Sequence, residues 1–158
     1  MIKVAIATIS DSCARGDRED VSGRTIDEML PADTYEICHR TILPDERDGI
    51  VLELTQLADR LEADIVLTTG GTGLGPRDVT PEATKLACER MVPGLGELMR
   101  AAGFRKTPNA VLSRAVAGIR GRTLIINLPG SPKAVRECLE VILPILPHAV
   151  EMMRGGGH

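Results

Sequence analysis

Residues 68–84 read T-T-G-G-T-G-L-G-P-R-D-V-T-P-E-A-T: four glycines within six positions, then one arginine, one aspartate and a helix start. Ordering a glycine costs ~0.5–1 kcal/mol more than ordering an alanine, so such a cluster marks a backbone that turns tightly or touches something. The flanks decide the fold. Ile65–Thr69 before the glycines is a short apolar run, the pattern of a buried strand. Thr80-Pro81-Glu82 after them offers a helix N-cap, a proline at the first helical position and an acid facing the positive end of the helix dipole.

The same alternation extends in both directions. Lys3–Ser10 (K-V-A-I-A-T-I-S) is nearly continuously apolar, as a strand buried on both faces of a parallel sheet must be. Residues 11–20 read as a charged loop, residues 23–29 as a helix ended by Pro31-Ala32-Asp33, and Tyr35–Leu43 as a second strand. Ile50, Leu54, Leu57, Ala58 and Leu61 form one apolar helical stripe. Beyond the glycines, a helix to about Arg90, a second from Pro93-Gly94 to about Gly103, a polar loop over 105–109 and mixed structure over 110–119 are expected. Thr123–Leu128 is a further strand, and Ser131-Pro132 repeats the cap-and-proline start. Val135, Cys138, Leu139, Ile142 and Leu146 stripe the last helix, which Pro144 kinks or ends, and residues 155–158 are expected to fray. Strands alternating with helices predict an α/β three-layer sandwich, a mostly parallel central sheet flanked by helices. In such sheets ligands gather at the carboxyl ends of the strands, so the loops after Ser10, Leu43, Thr69 and Leu128 should share one rim.

Composition narrows the function. A chain of 158 residues, 43% hydrophobic and 26% charged, fits one domain, residues 1–158, with a true core. One tyrosine, one phenylalanine and no tryptophan leave few stacking platforms, and a net charge of -3 gives no footprint for a polyanion, so nucleic acid is not an expected partner. Four scattered cysteines without a C-x-x-C pair suggest neither a zinc site nor a disulfide framework, and read as reduced thiols. Met1 leads straight into I-K-V-A-I without the features of a signal peptide, and no apolar run reaches the ~18 residues of a membrane helix. The expected location is the cytoplasm, with no membrane partner.

The candidate chemistry lies on the predicted rim. Gly70, Gly71, Thr72 and Gly73 sit between strand and helix, where backbone N–H groups can converge on an anion; the alternative is a merely tight turn. The lysine of a Walker loop and the G-x-G-x-x-G of a dinucleotide fold are both missing. Asp45, in L-P-D-E, and Asp78, in P-R-D-V-T, would repel a phosphate held by that loop unless a divalent cation stood between them, and Mg²⁺ binds through one or two carboxylates plus substrate phosphates. The plainer reading is that Asp78 caps a turn and Asp45 follows Pro44 in an exposed one. Asn127-Leu128-Pro129-Gly130-Ser131-Pro132 is a second strand–loop–helix junction, able to hold a phosphate or a base edge or to serve only as a helix cap. Ser113, Arg114, Arg120 and Arg122 add polar and cationic groups or are simply solvated. His39 and His148 lack metal or triad spacing, and Cys13 has no base beside it in sequence.

Taken together, T-T-G-G-T-G-L-G-P-R-D-V-T-P-E-A-T, L-P-D-E, L-S-R-A-V-A-G-I-R-G and N-L-P-G-S-P-K-A-V resemble the molybdenum cofactor biosynthesis family, in particular the single-domain molybdopterin adenylyltransferases related to the first domain of gephyrin. The likeness runs from the opening S-D-S-C to the closing L-P-H-A and is loosest over residues 13–20. It implies a molybdopterin-binding fold, a homotrimer, and transfer of AMP from Mg-ATP to the terminal phosphate of molybdopterin with release of pyrophosphate. It implies Asp45 and Asp78 as the essential acids and Mg²⁺ ligands, and Gly70, Gly71, Thr72 and Gly73 as the nucleotide loop. Ser10, Ser113, Asn127, Pro129, Gly130 and Ser131 fall on positions associated with nucleotide, pyrophosphate or pterin contacts. Hand-over of product to a molybdenum insertion protein follows from the same likeness. A phosphate monoester is already anionic, so it attacks phosphorus without a general base, which fits an inventory lacking one. The rival readings are a non-catalytic molybdopterin carrier or assembly module, and a generic nucleotide hydrolase.

Overall fold

The computed structural model describes residues 1–156. Six strands form one sheet: β1 (Ile2–Ile9), β2 (Tyr35–Leu43), β3 (Ile65–Thr69), β4 (Arg90–Met91), β5 (Ala117–Arg120) and β6 (Thr123–Leu128), in the order β2-β1-β3-β6-β5-β4. The four strands β2, β1, β3 and β6 are mutually parallel, and β5 alone is reversed, antiparallel to both of its neighbours, β6 and the edge strand β4. Seven α-helices connect them: α1 (Asp11–Ala14), α2 (Val21–Met29), α3 (Arg47–Asp59), α4 (Thr80–Ala87), α5 (Pro93–Phe104), α6 (Pro132–Ile142) and α7 (Leu146–Met153).

Side chains alternate across each strand, so the apolar runs serve two cores at once. Ile2, Val4 and Ile6 of β1, Ile65 and Leu67 of β3, and Leu124, Ile126 and Leu128 of β6 pack with Ile26, Leu95, Val135, Leu139 and Leu146, that is, under α2, α5, α6 and α7. Ala5, Ala7 and Ile9 of β1, with Val66 and Ile125, pack on the opposite face against Ile50, Leu54 and Leu57 of α3 and Ala83 and Ala87 of α4. Each such fully buried Ile or Leu contributes ~1.5–3 kcal/mol. The result is the predicted three-layer sandwich with helices on both faces of a mostly parallel sheet.

The sequence reading is corrected at several joints. Residues 11–20 are not all loop: Ser10 accepts a hydrogen bond from the Cys13 N–H and caps the short α1. Helix α2 starts two residues early because Asp20 accepts from the Gly23 N–H. The α3 stripe stops at Ala58; Leu61 lies past the helix end and is exposed. Thr80 is not the N-cap of α4; that position is Val79, and Thr80 already belongs to the first turn. The helix ends at Ala87 rather than Arg90, because Glu89 and Arg90 turn out to pair with Ile119 of β5. Pro144 sits in a 3-10 turn, Leu143–Ile145, that separates α6 from α7. The expected fraying at the C-terminus falls partly outside the described residues: Gly155 and Gly156 donate to the Met152 and Glu151 carbonyls, and residues 157–158 are not described.

A candidate active site of two clefts sharing one floor

The parallel register brings the carboxyl ends of β1, β2, β3 and β6 level, with Ile9 opposite Leu43, Thr8 opposite Thr69, and Thr69 opposite Leu128. The loops that leave these ends are tied together. The Ser10 N–H donates to the Leu43 carbonyl, the Gly70 N–H to the Leu128 carbonyl, and the Thr69 hydroxyl to the Pro129 carbonyl at 2.6 Å. The Ser22 hydroxyl of α2 donates to the Gly130 carbonyl at 2.6 Å. Only glycine permits the sharpest of these turns. Gly70 has φ +101°, and a Cβ there would collide with the Ile9 carbonyl oxygen.

Two clefts open on this rim. One, of 480 Å³, is lined by Ser10, Asp45, Gly70, Gly71 and Asp78. The other, of 510 Å³, is lined by Thr72, Gly73, Ser113 and Pro129, with an apolar wall of Met99, Leu112, Ala115 and Ala134. Gly71, Asp78, Gly130 and Ser131 border both. Among the described residues, the N–H groups of Gly71, Thr72, Gly73, Gly130 and Ser131 have no acceptor within the protein. Free amides therefore stand on two sides of a shared floor, as an anion-binding nest requires. The helix-cap reading of the second junction holds, since Ser131 caps α6 by accepting from the Ala134 N–H.

Eleven of the twelve sequence-predicted residues line one cleft or the other. Asn127 does not. It is fully buried on the α4 face, where its Nδ2 donates to the hydroxyls of Thr68 and Thr84, and its Oδ1 accepts from the Val116 N–H. All its polar capacity toward neighbours is spent joining β3, β6 and α4, so it acts through the core.

The acids are held in different ways. Asp45 and Asp11 exchange hydrogen bonds, Asp11 N–H to Asp45 Oδ2 at 3.0 Å and Asp45 N–H to Asp11 Oδ1 at 2.9 Å. Arg77 grips Asp11 with Nε at 2.7 Å and Nη2 at 3.1 Å and also reaches Glu46 at 2.9 Å. The Arg77 guanidinium and the Asp45 N–H lower the Asp11 carboxyl to about 2. Asp45 moves the other way: burial raises it, and the nearby charges of Asp11 and Asp78 add to the rise against the hydrogen bond from Asp11 and the charge of Arg77. Asp78 accepts from the Gly75 N–H at 2.9 Å, so it caps a turn as well as facing the cleft. Among the described residues no three His, Cys, Asp or Glu side chains converge as a metal cage. A cation here would draw on Asp45 and Asp78 and complete its shell with substrate oxygens and water, the habit of a hard ion bound alongside phosphate.

Two positions at the cleft, Asp11 and Arg77, escaped the sequence reading, and a third, Arg114, takes a place the reading did not foresee. Asp11 stands in the quoted S-D-S-C, and Arg77 beside Asp78, but their pairing spans the sheet. Arg114 is neither a ligand cation nor a solvated one. Its N–H donates to the Thr72 carbonyl, Nε to the Gly73 carbonyl and Nη2 to the Asp78 carbonyl, while Glu82 takes two further bonds at 2.6 and 3.1 Å. The guanidinium thus fastens the glycine loop from below.

Comparison with known proteins follows the same outline. Residues 5–148 match the family described as "Probable molybdopterin binding domain". The chain is 46% identical over 157 residues to the molybdopterin adenylyltransferase of Helicobacter pylori strain J99, covering 98% of this chain and 89% of the relative. It is 40% identical over 142 residues to that of Escherichia coli K12, covering 88% and 72%. The crystal structure of the molybdopterin biosynthesis enzyme MoaB from Thermus thermophilus superposes with a TM-score of 0.93 at 54% identity over 98% of both chains. With the fold, the loops and the sequence in agreement over nearly its whole length, the chain belongs to the molybdopterin-binding domain family of molybdenum cofactor biosynthesis.

Proposed function

We propose that this protein is a molybdopterin adenylyltransferase that uses Mg-ATP. One observation carries the reading: two clefts meet over a floor formed by Gly71, Asp78, Gly130 and Ser131, so two different ligands can bring their phosphates together. A terminal phosphate oxygen of molybdopterin forms a bond to the α-phosphorus of ATP. The bond from that phosphorus to the bridging oxygen breaks, and pyrophosphate departs with the electron pair. The attacking oxygen is already anionic, so no side chain has to remove a proton, and the protein contributes position and charge neutralisation. The free amides of Gly71, Thr72 and Gly73 on one side and of Gly130 and Ser131 on the other hold phosphate oxygens. Asp45 and Asp78 are the residues that would hold Mg²⁺, which when bound offsets the negative charge of the polyphosphate. Asp11 and Arg77 set the position of Asp45.

The whole chain acts as one molybdopterin-binding domain, assembled as a homotrimer in the cytoplasm, where its four unpaired thiols suit a reducing compartment. Its product passes to a molybdenum insertion protein. The test is to mix the protein with Mg-ATP and molybdopterin and to measure pyrophosphate and adenylylated pterin. Equal amounts of both are expected. Pterin binding without pyrophosphate identifies a carrier, and pyrophosphate or phosphate release without pterin identifies a hydrolase.

A further inference from the structure

Thr80 carries an unexplained polar group. The residue is fully buried, and its hydroxyl is the one buried side-chain polar atom among the described residues with no hydrogen-bond partner. Its main chain is fully used: the N–H donates to the Gly71 carbonyl at 3.2 Å, and the carbonyl accepts from the Thr84 hydroxyl at 2.8 Å. A buried, unmade hydrogen bond is unfavourable, and a valine would fill the same volume without that penalty. The hydroxyl is aimed at the glycine loop. Gly71 has φ +70°, and a Cβ added there would collide with Thr80 Oγ1 while lying 3.1 Å from Asp45 Oδ1. Oγ1 and Oδ1 therefore converge on the same side of Gly71. The other oxygen of Asp45, Oδ2, is already engaged by the Asp11 N–H, which leaves Oδ1 without a comparable donor to fix it.

We propose that Thr80 is a positioning residue for Asp45: its buried hydroxyl is the donor that directs Asp45 Oδ1 when this carboxylate takes up the cation. The inference rests on Asp45 being a cation ligand, as proposed above. Asp11 then fixes one oxygen through the main chain and Thr80 the other through its side chain, with Gly71 supplying the narrow gap between them. Such outer partners of ligating carboxylates commonly govern metal affinity by 10–100-fold. A structural hydroxyl and a positioning hydroxyl also differ in sign. Removing a hydroxyl that serves the fold lowers stability and leaves the cation site alone, whereas removing a positioning hydroxyl with no partner in the fold spares stability and weakens the cation site.

The experiment titrates Mn²⁺, as a paramagnetic stand-in for Mg²⁺, into the full-length protein carrying a non-hydrolysable α,β-methylene ATP analogue, and records thermal midpoints in parallel. Thr80→Val is expected to weaken Mn²⁺ binding about tenfold, with a midpoint equal to or above that of the unmodified protein. Thr80→Ser, which keeps the hydroxyl, restores most of the affinity. Asp45→Asn separates the two levels of the argument. If Asp45→Asn weakens Mn²⁺ binding and Thr80→Val does not, or if Thr80→Ser is as weak as Thr80→Val, the role of Thr80 is overturned while Asp45 stands. If Asp45→Asn binds Mn²⁺ as tightly as the unmodified protein, the cation assignment itself fails. A Thr80→Val protein with a lowered midpoint and unchanged affinity would show a purely structural threonine.

Discussion

Asp11 and Asp45 each accept the other's main-chain N–H, at 2.9 and 3.0 Å, so the second residues beyond β1 and β2 are locked edge to edge. Two adjacent carboxylates repel, and the arrangement survives because Arg77 neutralises Asp11 from the glycine loop. Three loops far apart in sequence thereby fix one acid in the cleft. Asp11→Ala removes the acceptor for Asp45 and the anchor for Arg77 together. Loss of such an outer partner is expected to lower kcat/KM by roughly 10–100-fold, measured as pyrophosphate release with molybdopterin at saturating ATP.

The same contact gives a dependence on pH. Asp11 falls from its ordinary 3.8 to about 2 in the folded state. A carboxyl that is more acidic when folded adds stability that is fully present above 3.8 and disappears as the pH falls toward 2. Asp45 works in the opposite sense, since burial raises it and protonation at low pH relieves that cost. Thermal midpoints of the unmodified protein and of Asp11→Asn should therefore converge through that acidic window and separate above it. Parallel curves over the whole window would contradict the assignment.

Arg114 fastens the carbonyls of Gly73 and Asp78 while held by Glu82. A hydrogen bond to a charged group is worth about 1.5–3 kcal/mol, less where solvent reaches it, as it does at this half-buried pair. Arg114→Lys keeps the charge but loses the planar fork. Both Arg114→Ala and Arg114→Lys should lower stability by about 1–2 kcal/mol and raise the KM for ATP, because the glycine loop loses its underside. Chemical denaturation and steady-state kinetics on the two variants check this.

Gly70 and Gly130 face one another, yet only one of them is obligatory. A Cβ on Gly70 would meet the Ile9 carbonyl in a left-handed backbone, whereas a Cβ on Gly130 would lie 3.5 Å from the Gly70 Cα, an ordinary contact. Gly70→Ala should cost at least about 1–3 kcal/mol. Gly130→Ala should stay within about 0.5 kcal/mol of the unmodified protein. Urea denaturation of the two variants distinguishes them.

Much of this was legible before folding because burial on both faces leaves a direct mark. Ile65–Thr69 and Thr123–Leu128, buried at every position, are strands with the bounds their apolar runs set, and the more exposed edge strand Tyr35–Leu43 also keeps its expected bounds. The rim was legible too, since a parallel sheet must collect those loops at one end. What stayed hidden depends on neighbours that only the tertiary structure supplies. Thr80 has the sequence signature of an N-cap, but Val79 occupies that position, and nothing local announces that the hydroxyl will face Gly71. Asn127 lies beside a phosphate-type loop, but strand alternation turns it inward beneath α4. Arg77 stands in sequence only as the neighbour of Asp78, and Arg114 as a cation with either a site role or a solvated one; their carboxylate partners, Asp11 and Glu82, lie on other elements.

Asp78 and Asn127 supply the sharpest contrast, because both were candidates from sequence and the structure puts them to different use. Asp78 faces the cleft and spends one oxygen on the Gly75 N–H, an acceptor that an asparagine oxygen reproduces. Asp78→Asn should therefore fold with an unmoved thermal midpoint and lose turnover, since the change removes only the negative charge that the cation needs. Asn127→Ala strands the Thr68 hydroxyl and the Val116 N–H in a dry core and takes one donor from the Thr84 hydroxyl, which keeps its bond to the Thr80 carbonyl. Each unsatisfied buried group costs about 1–3 kcal/mol, so this variant should be strongly destabilised, and the fraction that folds at low temperature should keep a normal KM for ATP. Both variants are read by differential scanning calorimetry and by pyrophosphate release. A stable, fully active Asp78→Asn would remove the charge-bridging role from the mechanism, and an Asn127→Ala protein of normal stability with a raised KM would move Asn127 from the core into the site.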